Sequence, residues 1–283
     1  LCGLHKRRGS RKNLRYEFSE KMTKFNLHLQ FVTMKSNSLF NLIVFACLLG
    51  LFGFQGVSAQ SLTAAQMAEA PGEQAKIEWL TFEERHVPAA ANAWTRIRVG
   101  SRLKRSDVLR IALMSSENFA AYTLARSYPD GFDGFVAAMN AKAAELGMDN
   151  TRFVDPTGLS VENVSSASDL VRLANAALAH PLIGEYSTTG YYRAEFRGPR
   201  YSLSFGNTNA LVHRQSWGVG LSKTGYLTEA GRCLIMVSEM DSKPVITVLL
   251  DSLGTRSPMG DAGRIKRWLA SGDPGSVAAA AKR

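Results

Sequence analysis

The chain has 283 residues, of which 45% are apolar and 20% charged. This composition is typical of a globular protein and unlike that of collagen, coiled coils or disordered chains. The formal net charge is +10, but residues 1–35 contribute +7 and the rest only +3. So small a charge on the body of the chain argues against a nucleic-acid-binding protein, and we expect no nucleic-acid partner.

A secretory signal is predicted for residues 34–59. A short basic start is followed by an apolar run of 14 residues, 39–52, and then by Val57-Ser58-Ala59, which fits the small-x-small cleavage pattern. We therefore expect cleavage near Ala59 and a periplasmic location. The alternative is an uncleaved membrane anchor, although the run is shorter than the ~20 residues of a spanning helix. Membrane contact is expected only through this segment, if it stays uncleaved.

Residues 1–33 precede this signal, begin with Leu and show no apolar periodicity. We interpret them as an upstream extension outside the native fold. Residues 60–94 are rich in Ala, Gln and Glu and are predicted to be a linker-like segment. One cysteine, Cys233, lies outside the first 59 residues, so no intramolecular disulfide is expected in the exported chain. Its apolar neighbours indicate a buried thiol that packs as a small hydrophobe.

The domain itself is predicted to span 95–270 and to begin with a short strand at Thr95–Val99. Ser106 and Asp107 are then predicted to cap a helix with six apolar residues at positions 108–114, which indicates a buried helix.

Three further helices are predicted to complete an all-α cluster. The first of them runs from Phe119 to Tyr128. The next ends before Gly147, and its apolar residues share one face: Phe132, Phe135, Val136, Met139, Ala143 and Leu146. The last is capped by Ser168-Asp169 and runs to about residue 179.

After Tyr191 the apolar period changes from about 3.6 to about 2, as expected for strands. Short turns suited to antiparallel hairpins connect the later strands. The predicted strands are Tyr201–Phe205, Val219–Thr224, Cys233–Glu239 and Val245–Asp251. A helix at 260–270 is predicted to cover this sheet, and 271–283 to form a disordered tail. Helices, antiparallel strands and a covering helix together predict an α+β sandwich.

Two triplets carry candidate chemistry: Ser116-Glu117-Asn118 between two predicted helices, and Lys223-Thr224-Gly225 at the end of a predicted strand. A serine and an amide can pass a proton, and a lysine and a threonine can hold a carboxylate. The glycine leaves room for a ligand along the strand edge. Each triplet also has a purely structural alternative, a helix cap for the first and a hairpin exit for the second.

The sequence around these triplets resembles the D-alanyl-D-alanine endopeptidases and carboxypeptidases among the penicillin-binding proteins, whose site combines S-x-x-K, S-x-N and K-T-G. The similar segments are Leu109–Asn118, Met139–Met148, Asn150–Ser160, Asn207–Asn209 and Leu221–Gly225. The resemblance implies a β-lactamase-like sandwich and a periplasmic serine hydrolase, blocked by β-lactams. Its expected partners are peptidoglycan stem peptides or cross-links.

The same resemblance implies roles for individual residues. Ser116, Asn118 and Lys223 would be catalytic, and Lys223, Thr224 and Gly225 would bind the substrate carboxylate. No cofactor is expected, and no metal, because His86, His180 and His213 lack the spacing of metal ligands.

One family motif is not found. In the family the S-x-x-K segment lies well upstream of S-x-N, on a helix between the sheet and the α cluster, but residues 60–94 contain no such string. Ser101 and Lys104 match by string only, because Ser101 stands just 15 positions before Ser116. We therefore expect the opening strands, the central helix and the nucleophile to be missing. β-Lactams are then expected to react only if another nucleophile exists.

Three functional hypotheses follow from the sequence. The chain is a D-alanyl-D-alanine endopeptidase or carboxypeptidase, a non-catalytic wall-binding or regulatory relative that keeps the substrate groove, or a decayed gene product that folds poorly. The absent nucleophile favours the second and third.

Overall fold

The structure is a computed structural model that describes residues 16–18, 30–34, 78–83 and 94–272. Its helices are α1 (Arg105–Ser115), α2 (Asn118–Arg126), α3 (Gly131–Glu145), α4 (Ala167–Ala177), α5 (Pro181–Ser187) and α6 (Ser257–Ser271). Its strands are β1 (Tyr16–Phe18), β2 (Gln30–Met34), β3 (Trp79–Thr81), β4 (Arg102–Lys104), β5 (Tyr191–Phe196), β6 (Tyr201–Gly206), β7 (Val219–Leu227), β8 (Gly231–Met240) and β9 (Lys243–Ser252). Two short 3₁₀ helices, Ala210–His213 and Gln215–Trp217, precede β7.

Helix α1 lies at the centre of the α cluster because it is apolar nearly all round. Its six apolar residues at positions 108–114 are each at most 9% exposed, which confirms the predicted burial. The helix contacts α2, α5 and strands β6 and β7. It begins at Arg105, just before the predicted cap, because the chain enters directly from β4.

The predicted third helix is confirmed as α3, with Phe135 and Met139 fully buried, and Gly147 follows it at a φ of +66°. The prediction for α4 needs a correction at its start. Ser166, not Ser168, caps this helix, and its hydroxyl accepts a hydrogen bond from the Asp169 amide at 3.2 Å. Helix α5 was not predicted, although a proline in the first turn is compatible with a helix start.

The main sheet has five strands in the order β1-β2-β9-β8-β7. Strands β7, β8 and β9 form the antiparallel hairpins that the sequence predicted, and each extends beyond its predicted bounds. The pair β2–β9 is parallel, which departs from the wholly antiparallel sheet expected. Helices cover both faces, and the predicted α+β sandwich is confirmed.

The two faces of β8 follow the strand period of two. Ile235 and Val237 point into the large core beneath the α cluster, and Leu234 and Met236 into a smaller core. Helix α6 closes the smaller core with Ala262, Ile265, Trp268 and Leu269, the four residues predicted to cover the sheet.

The first part of the chain differs from its sequence interpretation. Strands β1 and β2 lie within or at the end of residues 1–33, which were interpreted as an extension outside the fold, yet they join the main sheet next to β9. The sheet thus has strands ahead of the α cluster, where opening strands were expected to be missing. The predicted signal core, its cleavage site and the tail 273–283 lie outside the described residues.

Residues 78–83 also differ from the linker predicted for 60–94. Strand β3 pairs with β4, and the fully buried Phe82 ring packs against Phe119 at a centroid distance of 5.0 Å and against Phe196 at 5.9 Å. The alternation in Trp79-Leu80-Thr81-Phe82 was the available signal. The rest of that segment, 60–77 and 84–93, is not described.

Two smaller departures concern strands. Thr95–Val99 is not a strand, and pairing begins only at β4. Strand β5 was not predicted, although it forms a six-residue hairpin with β6. Within the described ranges, no helix has the length and apolar character needed to cross a membrane.

We predict that Phe82→Ala destabilises the protein by about 3–5 kcal/mol, because it removes a buried ring from the core. Urea unfolding followed by circular dichroism measures this free energy. Val99→Ala, at a side chain that is 57% exposed, serves as the control and should change it by less than about 0.5 kcal/mol. Equal stability of Phe82→Ala and Val99→Ala would mean that residues 78–83 are a linker after all.

Candidate active site

The first triplet lies where α1 gives way to α2. Ser116 ends α1 in the left-handed region, at φ 54° and ψ 40°. Glu117 then caps α2, and its carboxylate accepts hydrogen bonds from the Phe119 amide at 3.3 Å and the Thr95 hydroxyl at 2.8 Å. A left-handed conformation costs a non-glycine residue about 1–2 kcal/mol, and the surrounding bonds hold it in place. This sharp junction brings Ser116 and Asn118 onto one cleft.

The second triplet lies on β7, the edge strand of the main sheet. Lys223 is only 3% exposed, and its ammonium group donates a hydrogen bond to Ser116 Oγ and another to the Thr224 carbonyl at 2.6 Å. Thr224 Oγ1 donates to Thr208 Oγ1 at 2.6 Å. Two triplets 107 positions apart are therefore in direct contact.

A short segment before the 3₁₀ helices ties the α cluster to β7. The Asn207 amide group donates to the Ser187 and Thr189 carbonyls at 2.8 and 2.9 Å. The Thr208 amide donates to the Met114 carbonyl at 3.0 Å, close to the end of α1. The buried Asn209 donates to Ser222 Oγ at 3.0 Å, next to Lys223 in the chain. These bonds fix the distance between the two triplets.

The two triplets line a cleft of about 370 Å³. Its lining residues are Ser116, Asn118, Thr157, Leu159, Thr208, Asn209, Lys223, Thr224, Gly225, Tyr226, Arg232, Cys233, Leu234, Thr255, Pro258 and Met259. All five residues predicted for catalysis or substrate binding belong to this set. The Asn118 side chain makes no hydrogen bond to any residue in the described ranges, so its amide is available to a ligand.

One wall of the cleft is a loop organised by Asp155. Its carboxylate accepts hydrogen bonds from the amides of Thr157 at 2.6 Å, Gly158 at 3.1 Å and Ser160 at 2.8 Å, and from the fully buried Asn163 side chain at 2.6 Å. So many bonds to one carboxylate make the loop rigid. It presents Thr157 and Leu159 to the cleft.

Ser101 and Lys104 lie elsewhere. The Ser101 side chain is fully buried, donates to the Arg98 carbonyl at 2.6 Å and accepts from the Tyr201 hydroxyl at 3.0 Å. Lys104 ends β4, opposite Trp79. Neither residue lines the cleft, so the string match does not correspond to a shared site with Lys223.

Cys233 lines the cleft but is 2% exposed. Burial raises the pKa of its thiol to about 12, so it stays protonated at neutral pH and is a poor nucleophile. Its predicted burial is confirmed. In the part of the chain that is described, no group of three or more His, Cys, Asp or Glu could hold a metal ion.

The sequence did not identify the residues that line the cleft outside the two triplets. Thr157 and Leu159 stand in a segment that resembled the family, but nothing in a linear string shows which of its side chains face the cleft. Tyr226 follows the second triplet directly and could have been included with it. Arg232 becomes visible only through the β7–β8 register, which places it opposite Tyr226.

Comparison with known proteins places this chain in a family. A protein-family model described as D-alanyl-D-alanine carboxypeptidase, peptidase family S11, matches residues 82–254. The D-alanyl-D-alanine endopeptidase of Pseudomonas aeruginosa is 50% identical over 189 residues, which cover 67% of this chain and 61% of that protein. The Escherichia coli D-alanyl-D-alanine endopeptidase is 47% identical over 204 residues, 72% of this chain and 66% of the relative. The matched part thus spans less than two thirds of either relative.

Solved structures show the same fold. The DD-transpeptidase of a Streptomyces strain superposes with a TM-score of 0.67 at 24% identity, covering 82% of this chain and 87% of that one. A penicillin-binding protein of Listeria monocytogenes in its ampicillin-bound form gives a TM-score of 0.59 at 26% identity, covering 82% and 88%. Because the family model matches more than half of the 283 residues, the chain belongs to the D-alanyl-D-alanine carboxypeptidase family of peptidases.

Proposed function

We propose that the cleft binds peptidoglycan peptides that end in D-alanyl-D-alanine. The observation that carries this proposal is the contact between Ser116 and Lys223, which assembles two family triplets from distant parts of the chain on one cleft. The relatives named D-alanyl-D-alanine endopeptidase support this class of ligand.

Lys223 and Thr224 are the proposed partners of the terminal carboxylate. Lys223 lines the cleft and is 3% exposed, so an anion there could accept a charge-assisted hydrogen bond from its ammonium group. Thr224 also lines the cleft. Gly225 has no side chain there, so an extended peptide can lie against the edge of β7. Ser116 and Asn118 provide the hydroxyl and the amide beside this position.

We further propose that this chain binds the peptide without forming an acyl-enzyme. The only S-x-x-K string in the sequence is Ser101 to Lys104, and Ser101 is buried away from the cleft. Acylation needs a serine hydroxyl beside a general base and within reach of the bound carbonyl. A non-catalytic wall-binding relative is therefore favoured over an active peptidase.

Intact mass measurement tests the absence of acylation. We expect the mass of the purified, cooperatively folding chain to be unchanged after incubation with excess benzylpenicillin. A penicillin-binding enzyme with an intact S-x-x-K motif, treated in parallel, should gain one penicillin. An adduct on this chain would contradict the proposal, and peptide mapping would then distinguish Ser116, which contacts the Lys223 amine, from Ser101.

Carboxylate recognition has a separate test. We predict that the chain binds N-acetyl-L-lysyl-D-alanyl-D-alanine more tightly than its C-terminal amide, and that Lys223→Met removes this preference and weakens binding of the acid at least about tenfold. Isothermal titration calorimetry measures both affinities. Lys243→Met, at an exposed position of β9, is the matched control. Equal affinity of the unmodified chain for acid and amide would refute the assignment.

Export to the periplasm is the proposed location, because the apolar run 39–52 and Val57-Ser58-Ala59 form a signal-like unit. Cleavage after Ala59 would also remove β1 and β2 and leave β9 as an edge of the sheet. We predict that chain recovered from the periplasmic fraction begins at Gln60, as measured by intact mass. Recovery only of the uncleaved chain in the cytoplasm would contradict export.

A further inference from the structure

The cleft contains a second cation, Arg232, to which the family triplets give no role. It is half-buried at the second position of β8, and its guanidinium carbon lies 4.3 Å from the centroid of the Tyr226 ring. Within the described ranges, its side chain has no hydrogen bond and no ion pair with an acidic residue. A half-buried guanidinium at the wall of a cleft, with no anionic partner among the described residues, is a ready anion-binding group.

The backbone around Arg232 is tightly constrained. Arg232 pairs with Tyr226 on β7 and with Ser252 on β9. The preceding Gly231 has a φ of +65°, and a Cβ there would lie 2.8 Å from the Asp251 Cα, so only glycine fits this close approach. The start of β8 is therefore held in place, and this fixes the backbone position of Arg232.

The contact with the Tyr226 ring also restrains the guanidinium. An arginine that lies over an aromatic ring uses its face for that contact, while its N–H donors point outward in the plane of the group. Such a fork matches the two oxygens of a carboxylate.

We propose that Arg232 binds a second carboxylate of the bound peptide, carried by the third residue from its C-terminus. This inference rests on the proposed function, with the terminal carboxylate at Lys223 and Thr224. Arg232 lies opposite Tyr226, three positions along β7 from Lys223, which corresponds to about 10 Å. In an extended peptide two residue steps cover about 7 Å, and an acidic side chain covers the remaining distance. Its third residue from the end therefore reaches the arginine.

The proposed ligand is thus a peptide with two acidic groups, one at its end and one on a side chain upstream. Arg232 would determine specificity and would not take part in proton transfer, because a guanidinium stays protonated. Peptides with a neutral residue at the same place would still bind through Lys223, but more weakly.

The test uses two peptides, N-acetyl-L-glutamyl-D-alanyl-D-alanine and its glutaminyl analogue, which differ only in one charge. Isothermal titration calorimetry with the full chain should show a preference of about tenfold for the glutamyl peptide. Arg232→Gln should abolish the preference while retaining the affinity for the glutaminyl peptide. Arg232→Lys should keep part of it. Arg267→Gln removes the same charge from an exposed position of α6 outside the cleft and should keep all of it.

Three results would overturn the inference. Equal affinity of the unmodified chain for the two peptides would show that Arg232 does not bind the glutamyl carboxylate. The proposed function would stand. An equal loss for both peptides in Arg232→Gln would indicate that the residue only supports the cleft. Failure of the unmodified chain to bind either peptide would overturn the proposed function together with this extension.

Discussion

Lys223 carries its amine into the boundary between the main sheet and the α cluster, where only 3% of the residue is exposed. Removing an ammonium group from water costs several kcal/mol unless other groups compensate it. Ser116 Oγ and the Thr224 carbonyl provide part of that compensation. Three features position Ser116 and Lys223 for this contact: the left-handed turn at Ser116, the hydrogen bonds of Asn209 and the close approach of α1 to β7.

The same arrangement bears on the proposed binding of a carboxylate in the cleft. Two of the hydrogen bonds that Lys223 donates go to oxygens of the Ser116 hydroxyl and the Thr224 carbonyl. Asn118 also lines the cleft and adds an amide. A carboxylate in the cleft, as proposed for the bound peptide, would add a charge-assisted hydrogen bond to these contacts.

Much of the fold could be predicted because its elements have strong local signals. The apolar residues of α1 and the single face of α3 set their helical periods, and the alternation along β8 sets a strand with two buried faces. What could not be predicted depends on partners distant in sequence. Phe82 stands in a short apolar run, but its place in the core is set by its contacts with Phe119 and Phe196. Strands β1 and β2 likewise acquire a place only by pairing with β9.

The residues of the candidate site likewise fall into those that could be predicted from the sequence and those that could not. Ser116, Asn118 and Lys223 stand in short motifs, so the sequence was enough to name them and their neighbours. Asp155 was not singled out, because its role is to accept bonds from backbone amides and no motif marks that. Arg232 depends on strand register, which the sequence constrains only through the length of the turn between β7 and β8.

The position of Lys223 on an edge strand has a consequence for association. A bare strand edge can pair with any extended chain, including another copy of the protein, and inward-pointing charges are one means by which natural sheets prevent this. The first half of β7 is covered, since the Ser222 amide donates to Ser187 Oγ at 3.2 Å. The second half lines the cleft. A lysine there would favour the carboxylate at the end of a chain and disfavour pairing with the interior of another strand. The residue proposed to bind the ligand would therefore also disfavour edge-to-edge association of the sheet.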